Sequence, residues 1–221
     1  MNKEVYWVFG VMALLIVIFL VSYSIFNSLK SFNYGGLEFT EEKFGEIPLF
    51  HYIYIGKVRT ITGNAISYEN KKVDLFLRND PRENNVPIDA DINFPAGKTV
   101  YVGIDDQGIP QCKYSVIGLA TLSSFLSQNG FGVRAGTLSE SAANANNIDY
   151  ISCEKYPLNP VILIQEGAFT KVTKTKQNCY LIEVDNCETL PAVEKFVVKA
   201  LIDAKARAIE NGQYDEQVKL G

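Results

Sequence analysis

The sequence lacks the residues from which most zinc sites are built. It contains one histidine, His51, and no two of its four cysteines have the spacing C-x-x-C. Structural zinc sites usually draw on paired ligands at short spacing, and catalytic zinc sites usually require histidines. The sequence therefore predicts no metal site, and nothing in it indicates a cofactor.

Short motifs that identify common enzymes are also missing. The chain has no G-x-S-x-G, no phosphate-binding G-x-x-x-x-G-K, no H-E-x-x-H and no G-x-G-x-x-G placed after a strand. Positive charge is scarce too, because 21 Lys and Arg residues stand against 25 Asp and Glu residues. Proteins that bind phosphate backbones concentrate positive charge, so no nucleic-acid partner is predicted.

Charge is absent from residues 5–26, a run dominated by Val, Ile, Leu and Phe. At about 1.5 Å per residue, such a run is long enough for the roughly 30 Å of bilayer hydrocarbon. It predicts an uncleaved transmembrane anchor. A cleaved signal peptide is the alternative, although its apolar core is usually shorter. Lys3 and Lys30 flank the run with balanced charge and do not orient it.

The four cysteines all lie in the second half of the chain. They are Cys112, Cys153, Cys179 and Cys187. An even set predicts two disulfides, and four buried free thiols are the alternative. Because disulfides persist mainly outside the cytoplasm, they orient the anchor. The sequence thus predicts a single-pass protein of the cell membrane, with its N terminus inside and its folded part extracytoplasmic.

The predicted strands constrain how the cysteines pair. Residues 179–185 have the composition of an extended strand, so Cys179 and Cys187 would stand about 25 Å apart at 3.3 Å per residue. A disulfide needs Cα atoms within roughly 7 Å. Cys112 and Cys187 each follow a strand and precede a helix, which places both at one sheet edge. The predicted pairs are Cys112 with Cys187 and Cys153 with Cys179.

Hydrophobic patterning predicts an α/β or α+β fold. Strand-like runs around a turn at residues 62–64 indicate a small antiparallel unit, and later strands alternate with two amphipathic helices. Such alternation favours a mixed sheet in a two-layer or three-layer sandwich. The predicted divisions are an anchor at 1–30, a stalk at 31–36, a β-rich unit at 37–97, an α/β domain at 98–212 and a polar tail at 213–221.

Two polar clusters are candidate binding sites. Arg78, Asp80 and Arg82 surround a proline, and their two guanidinium groups suit a phosphate or carboxylate, although a strand-ending turn explains them equally well. Asp105 and Asp106 follow a strand at the usual place for ligands in α/β sheets. This pair suits a cation, with a solvated turn as the alternative.

His51 and Glu166 are weaker candidates for chemistry. His51 has neither an acid nor a cysteine beside it in its strand and is interpreted as a structural side chain. Glu166 ends an apolar strand near a glycine, which favours a hairpin turn. No catalytic residue is predicted.

Four segments resemble a group of uncharacterised single-pass membrane proteins from archaea. The segments are Leu-Phe-Leu-Arg-Asn-Asp-Pro-Arg at 75–82, Cys112 before a helix, Asn-Cys-Tyr at 178–180 and Asp-Asn-Cys-Glu at 185–188. The resemblance implies an archaeal cell envelope. It implies no activity and no catalytic residue.

Together these features favour a non-enzymatic, membrane-anchored module that binds or assembles with an envelope partner outside the cell. One alternative is an envelope enzyme that uses carboxylates such as Asp105 or Glu166 with a metal. The other is an accessory subunit of a larger membrane complex, since Gly10, Ala13 and Ser22 supply small residues for helix packing. The expected partners are the membrane and other envelope or membrane proteins.

Overall fold

A computed structural model describes residues 3–28, 30–62 and 65–212 of the chain. The predicted polar tail at 213–221 and residues 63 and 64 of the predicted turn lie outside these ranges. The described residues combine an antiparallel sheet, a mixed sheet and four α-helices. The predicted α/β class, with an antiparallel unit preceding a mixed sheet, is confirmed.

The first helix, α1 (Lys3–Ser28), occupies the apolar run at the start of the chain. Its large apolar side chains within residues 6–21 are all exposed. The helix itself was expected, but the transmembrane span predicted within it is not found. Among the described residues, no helix reaches the length and apolarity that crossing a membrane requires.

Four antiparallel strands follow in chain order and form the first sheet. They are β1 (Ser31–Tyr34), β2 (Leu37–Phe44), β3 (Ile47–Thr62) and β4 (Ala65–Leu77). Side chains alternate between two faces along a strand, so residues directly opposite one another share a face. The inner face carries buried Leu37, Phe39, Phe50, Leu75 and Leu77, whereas the outer face is half-buried or exposed.

Residues 31–36 form a strand and a turn where the sequence predicts a flexible stalk. β1 pairs with β2 from Ser31 opposite Thr40 to Tyr34 opposite Leu37. The stalk prediction fails because the side chains of β1 pack against the core, which composition alone does not reveal. Gly35 and Gly36 make the tight turn at φ values of 59° and 82°, which glycine adopts without steric cost.

The mixed sheet has the strand order β5-β9-β10-β8-β6-β7. Its strands are β5 (Ile88–Asp89), β6 (Thr99–Ile104), β7 (Gly132–Thr137), β8 (Val161–Glu166), β9 (Lys171–Lys176) and β10 (Cys179–Val184). β10, β8, β6 and β7 run parallel, and β9 returns antiparallel beside β10. The carboxyl ends of the parallel strands therefore meet at one edge of the sheet.

Three further helices connect or cover these strands. α2 (Ser115–Gln128) and α4 (Thr189–Glu210) pack against each other, and α3 (Glu140–Asn146) follows β7. Ser139 caps α3 by accepting a hydrogen bond from the backbone of Ala142. The sequence pattern predicts an apolar stripe on α4 that consists of Val193, Phe196, Val197, Ala200, Leu201 and Ala204. The first five are buried, whereas Ala204 is exposed.

One hydrophobic core unites the two sheets. It contains the inner face of the first sheet, the central strands of the mixed sheet, and the buried faces of α2 and α4. Tyr180 lies fully buried in this core, and its hydroxyl group accepts a hydrogen bond from the Asn93 amide (2.9 Å) and donates one to the Asn93 carbonyl (3.1 Å).

The predicted division of the chain into a β-rich unit at 37–97 and an α/β domain at 98–212 stays a prediction.

Replacing Tyr180 tests this buried polar contact. Tyr180→Phe keeps the ring but leaves the Asn93 amide and carbonyl without their partner, so we expect the free energy of unfolding to fall by about 1–3 kcal/mol. Chemical denaturation measures the change. Tyr68→Phe, at a half-exposed ring on β4, is the control and should change stability little. Equal stability of both variants would contradict the prediction.

Candidate functional site

A polar cleft of about 510 Å³ lies between the loop that follows β4 and the start of α4. Its lining is rich in carboxylates and amides and consists of Asn79, Asp80, Glu83, Asn84, Asn85, Val86, Glu188 and Pro191. Most of these residues come from one continuous loop; Glu188 immediately precedes α4, and Pro191 lies in its first turn. The cleft therefore depends on how firmly the loop is held against the helix.

Glu194 holds the start of this loop from beneath. Its side chain projects from α4 and is only 2% exposed. Its carboxylate accepts hydrogen bonds from the backbone amides of Arg78 (2.6 Å) and Asn79 (3.0 Å) and from the Asn79 side chain (2.6 Å). Burial raises the pKa of Glu194, although these hydrogen bonds favour the ionised form and oppose the shift.

Asn84 and Lys195 fix the middle of the loop. The Asn84 side-chain amide donates to the carbonyl of Pro191 at 2.8 Å. Lys195 on α4 donates to the Asn84 carbonyl at 2.7 Å and to the Tyr34 hydroxyl group at 3.0 Å. These hydrogen bonds thus hold the middle of the loop against α4, and Lys195 also links that helix to β1.

Asp80 and Arg82 pair with each other at the rim of the cleft. The Arg82 Nε donates to both Asp80 oxygens, at 2.9 and 3.0 Å, and the Arg82 backbone amide donates at 2.9 Å. Hydrogen bonding from the Arg82 side chain lowers the pKa of Asp80. The Arg82 guanidinium also lies 3.7 Å from the centre of the Phe32 ring. Arg82 is therefore held within the protein by two contacts.

The arginine clamp predicted for an anion stays a prediction. Arg82 already binds Asp80, and Arg78 contributes its backbone amide to Glu194. Of the three residues predicted in this segment, only Asp80 lines the cleft. The cleft has the opposite character, because its described lining contains three carboxylates and no basic residue.

Asp105 and Asp106 follow β6 at the carboxyl edge of the mixed sheet, as predicted, and neither lines the cleft. Asp105 accepts a hydrogen bond from the backbone amide of Gln107 at 3.1 Å, and Asp106 accepts one from the Thr137 hydroxyl group at 3.1 Å. The first contact is local to the turn after β6, whereas the second joins this turn to the end of β7. Within the described ranges, no group of three His, Cys, Asp or Glu side chains is placed to hold a metal ion.

His51 lies in a network that sequence reasoning missed. Its Nδ1 is 2.7 Å from a Glu42 oxygen, its Nε2 is 2.9 Å from an Asp74 oxygen, and its ring stacks on Phe76 at 4.3 Å. The acids lie nine residues before and 23 residues after the histidine in the chain. Strand pairing brings His51 and the two acids together on the outer face of the first sheet. The network is therefore visible in the sequence only to a reader who already knows which residues of β2, β3 and β4 lie opposite one another.

Both disulfides form, and the pairs are those predicted. Cys112 bonds to Cys187 with a Cα separation of 5.1 Å, and Cys153 bonds to Cys179 with a Cα separation of 5.8 Å. The first bond sits directly before α4. There Asn186 and Cys187 adopt positive φ values of 48° and 62°, which are unfavourable for residues with a side chain. This bond therefore fixes the second wall of the cleft.

No family model, curated protein or solved structure matches this chain. The resemblance to archaeal membrane proteins therefore stays a prediction.

Glu194→Gln tests whether this carboxylate holds the loop. The amide that replaces one oxygen cannot accept, so at least one donor of Arg78 or Asn79 loses its partner. We expect a loss of about 1–3 kcal/mol in unfolding free energy at neutral pH. Glu188→Gln, at an exposed position before α4, is the matched control and should behave like the wild type.

The same variant gives a pH signature. Because the pKa of Glu194 is raised above its ordinary value of 4.5, the folded protein binds the proton more tightly than the unfolded chain. The stability gained from that proton is fully present at pH values below 4.5. It is lost as the pH rises through the pKa that Glu194 has in the folded protein. The advantage of the wild type over Glu194→Gln should therefore shrink as pH rises through this window. An advantage that grows with pH would contradict this assignment.

The two disulfides should differ in their reaction with a reductant. Cys187 is exposed, whereas Cys153 and Cys179 are both buried. Because thiol–disulfide exchange requires access to a sulfur atom, Cys112–Cys187 should be reduced first. Brief treatment with dithiothreitol, alkylation and peptide mass analysis measure the order. Alkylation of Cys153 and Cys179 before the other pair would show that exposure does not govern the reaction.

Proposed function

We propose that this chain is a disulfide-braced binding or assembly module displayed outside the cytoplasm at a membrane surface. Its cleft takes a cationic segment, rich in lysine or arginine, from a partner protein of the cell envelope. The observation that carries the proposal is the preformed acidic cleft between the loop after β4 and the start of α4.

Charge supports a cationic ligand. Asp80, Glu83 and Glu188 bring three negative charges to the lining, and Arg82 beside Asp80 offsets one of them. The remaining charge of about −2 is accompanied by the side-chain amides of Asn79, Asn84 and Asn85, whose oxygens accept hydrogen bonds. Lysine and arginine side chains carry only donors, so they match this lining.

Rigidity supports binding through a preformed surface. Glu194 and Lys195 hold the loop at two points, and the Cys112–Cys187 disulfide holds the start of α4. A ligand that meets a preordered loop does not have to supply the free energy of ordering it. The cleft is therefore suited to recognition without a conformational change.

Two features support the proposed location. Disulfides persist in oxidising compartments, which favours a domain outside the cytoplasm. The large apolar side chains of residues 6–21 in α1 are all exposed, and such a surface is normally covered by lipid or protein. We propose that lipid covers α1 and holds the folded part at the membrane.

Titration with a short oligolysine peptide tests the cleft. The double variant Glu83→Gln/Glu188→Gln removes two exposed charges while keeping side-chain size. Exposed ion pairs contribute about 0.2–1 kcal/mol each, so the loss of two of them should weaken the affinity for the peptide roughly two- to thirtyfold. Isothermal titration calorimetry of the full chain in mild detergent provides the measurement.

The control places the same change elsewhere. Glu140→Gln/Glu210→Gln removes the same charge from α3 and the end of α4, so overall charge is matched between the two double variants. Its affinity for the peptide should equal that of the wild type. Equal weakening by both double variants would show attraction to net charge alone and would refute the assigned cleft.

A further inference from the structure

The turn between β2 and β3 exposes two large apolar side chains. Phe44 is 76% exposed and Ile47 is 40% exposed, and the two residues lie opposite each other in the sheet. Gly45 between them has a φ of 64°, which permits the tight reversal. Phe44 is the most exposed of the described large apolar side chains in this sheet, since those elsewhere on β3 and β4 reach at most 49%.

Strand pairing places this turn at the end of the sheet where the chain leaves α1. The Glu41 amide donates to the Lys30 carbonyl at 2.8 Å, so Lys30 continues the ladder beside β2. Phe44 lies three residues beyond Glu41 toward the turn, which is about 10 Å at 3.3 Å per residue. The turn therefore extends past Lys30 in the direction from which the chain arrives.

The apolar run of α1 ends at a similar distance from Lys30. Phe26 is its last large apolar residue, and the helix continues to Ser28. Two residues of helix add about 3 Å, and the two steps from Ser28 to Lys30 add at most about 7 Å. Along the helix axis, Phe26 thus lies within about 10 Å of Lys30. Since both lie about 10 Å from Lys30, the turn and the end of the apolar run reach the same depth in a membrane that holds α1.

We propose that residues 44–47 form a second membrane contact, with Phe44 and Ile47 seated in the lipid interface beside α1. The contact rests on the proposed attachment of α1 to the membrane. The charges next to the turn are Glu42, Lys43 and Glu46, which sum to −1, so the contact depends on apolar burial and not on anionic lipid. Aromatic and aliphatic side chains are common on the lipid side of such interfacial segments.

The opposite end of the first sheet supplies an internal reference. Tyr68 on β4 is 49% exposed and lies opposite Arg59. Arg59 is nine residues along β3 from Phe50, the residue opposite Glu41, which amounts to about 30 Å. This displacement runs away from the turn, so Tyr68 stays in water when Phe44 touches lipid.

Tryptophan fluorescence tests the contact in the full chain. Trp7 is the only tryptophan, so two double variants each contain one tryptophan: Trp7→Phe/Phe44→Trp and Trp7→Phe/Tyr68→Trp. Each is reconstituted into phosphatidylcholine vesicles in which part of the lipid carries bromine near the head-group end of the acyl chains. We expect bromine to quench the first variant strongly and the second not at all.

Flotation of the same vesicles separates the two proposals. A chain that does not float with lipid overturns the membrane attachment of α1, and the turn contact with it. A chain that floats while the Phe44→Trp variant stays unquenched overturns the turn contact alone. Equal quenching of both variants also overturns it, because the whole sheet would then lie on the lipid. Matching circular dichroism spectra establish that both variants are folded.

Discussion

The carboxylate of Glu194 connects the end of the first sheet to the last helix, and the cleft depends on that connection. Burying a carboxylate is costly unless hydrogen bonds compensate, and here three donors from Arg78 and Asn79 do so. Those donors all belong to the point where β4 ends. Glu194 therefore sets where the loop leaves the sheet. Lys195, the next residue of α4, sets the position of the middle of the loop.

The cleft draws its two walls from parts of the chain that are far apart in sequence. The loop wall is held by hydrogen bonds to α4, whereas the wall at Glu188 is held by the Cys112–Cys187 disulfide and by the left-handed backbone of Asn186 and Cys187. Charge then gives the cleft its character. Arg82 is occupied by Asp80 and stacks on Phe32, so the surface facing solvent is acidic.

Local pattern predicts most elements of this fold but few of its polar contacts. The mixed sheet, the stripe on α4 and both cysteine pairs follow from periodicity and from strands that share an edge. The strand at Ser31–Tyr34 was not predicted because a pair of glycines such as Gly35 and Gly36 is typical both of flexible linkers and of tight hairpin turns. Glu194 and the Glu42–His51–Asp74 network were missed because tertiary packing and strand register create them, and neither is encoded in neighbouring residues.

The nesting of the disulfides also shapes the unfolded chain. Cys153–Cys179, with a sequence separation of 26, lies inside the loop closed by Cys112–Cys187, with a separation of 75. Taken singly, loops of these sizes cost the denatured ensemble about 3.5 and 4.5 kcal/mol of conformational freedom, and nesting makes the joint effect smaller than the sum. Denatured chains keep the α2-to-β10 region compact, while the segment that carries the first sheet gains its full freedom. Refolding therefore begins from a chain in which the segment between Cys112 and Cys187 is already confined and the first sheet must still pack against it.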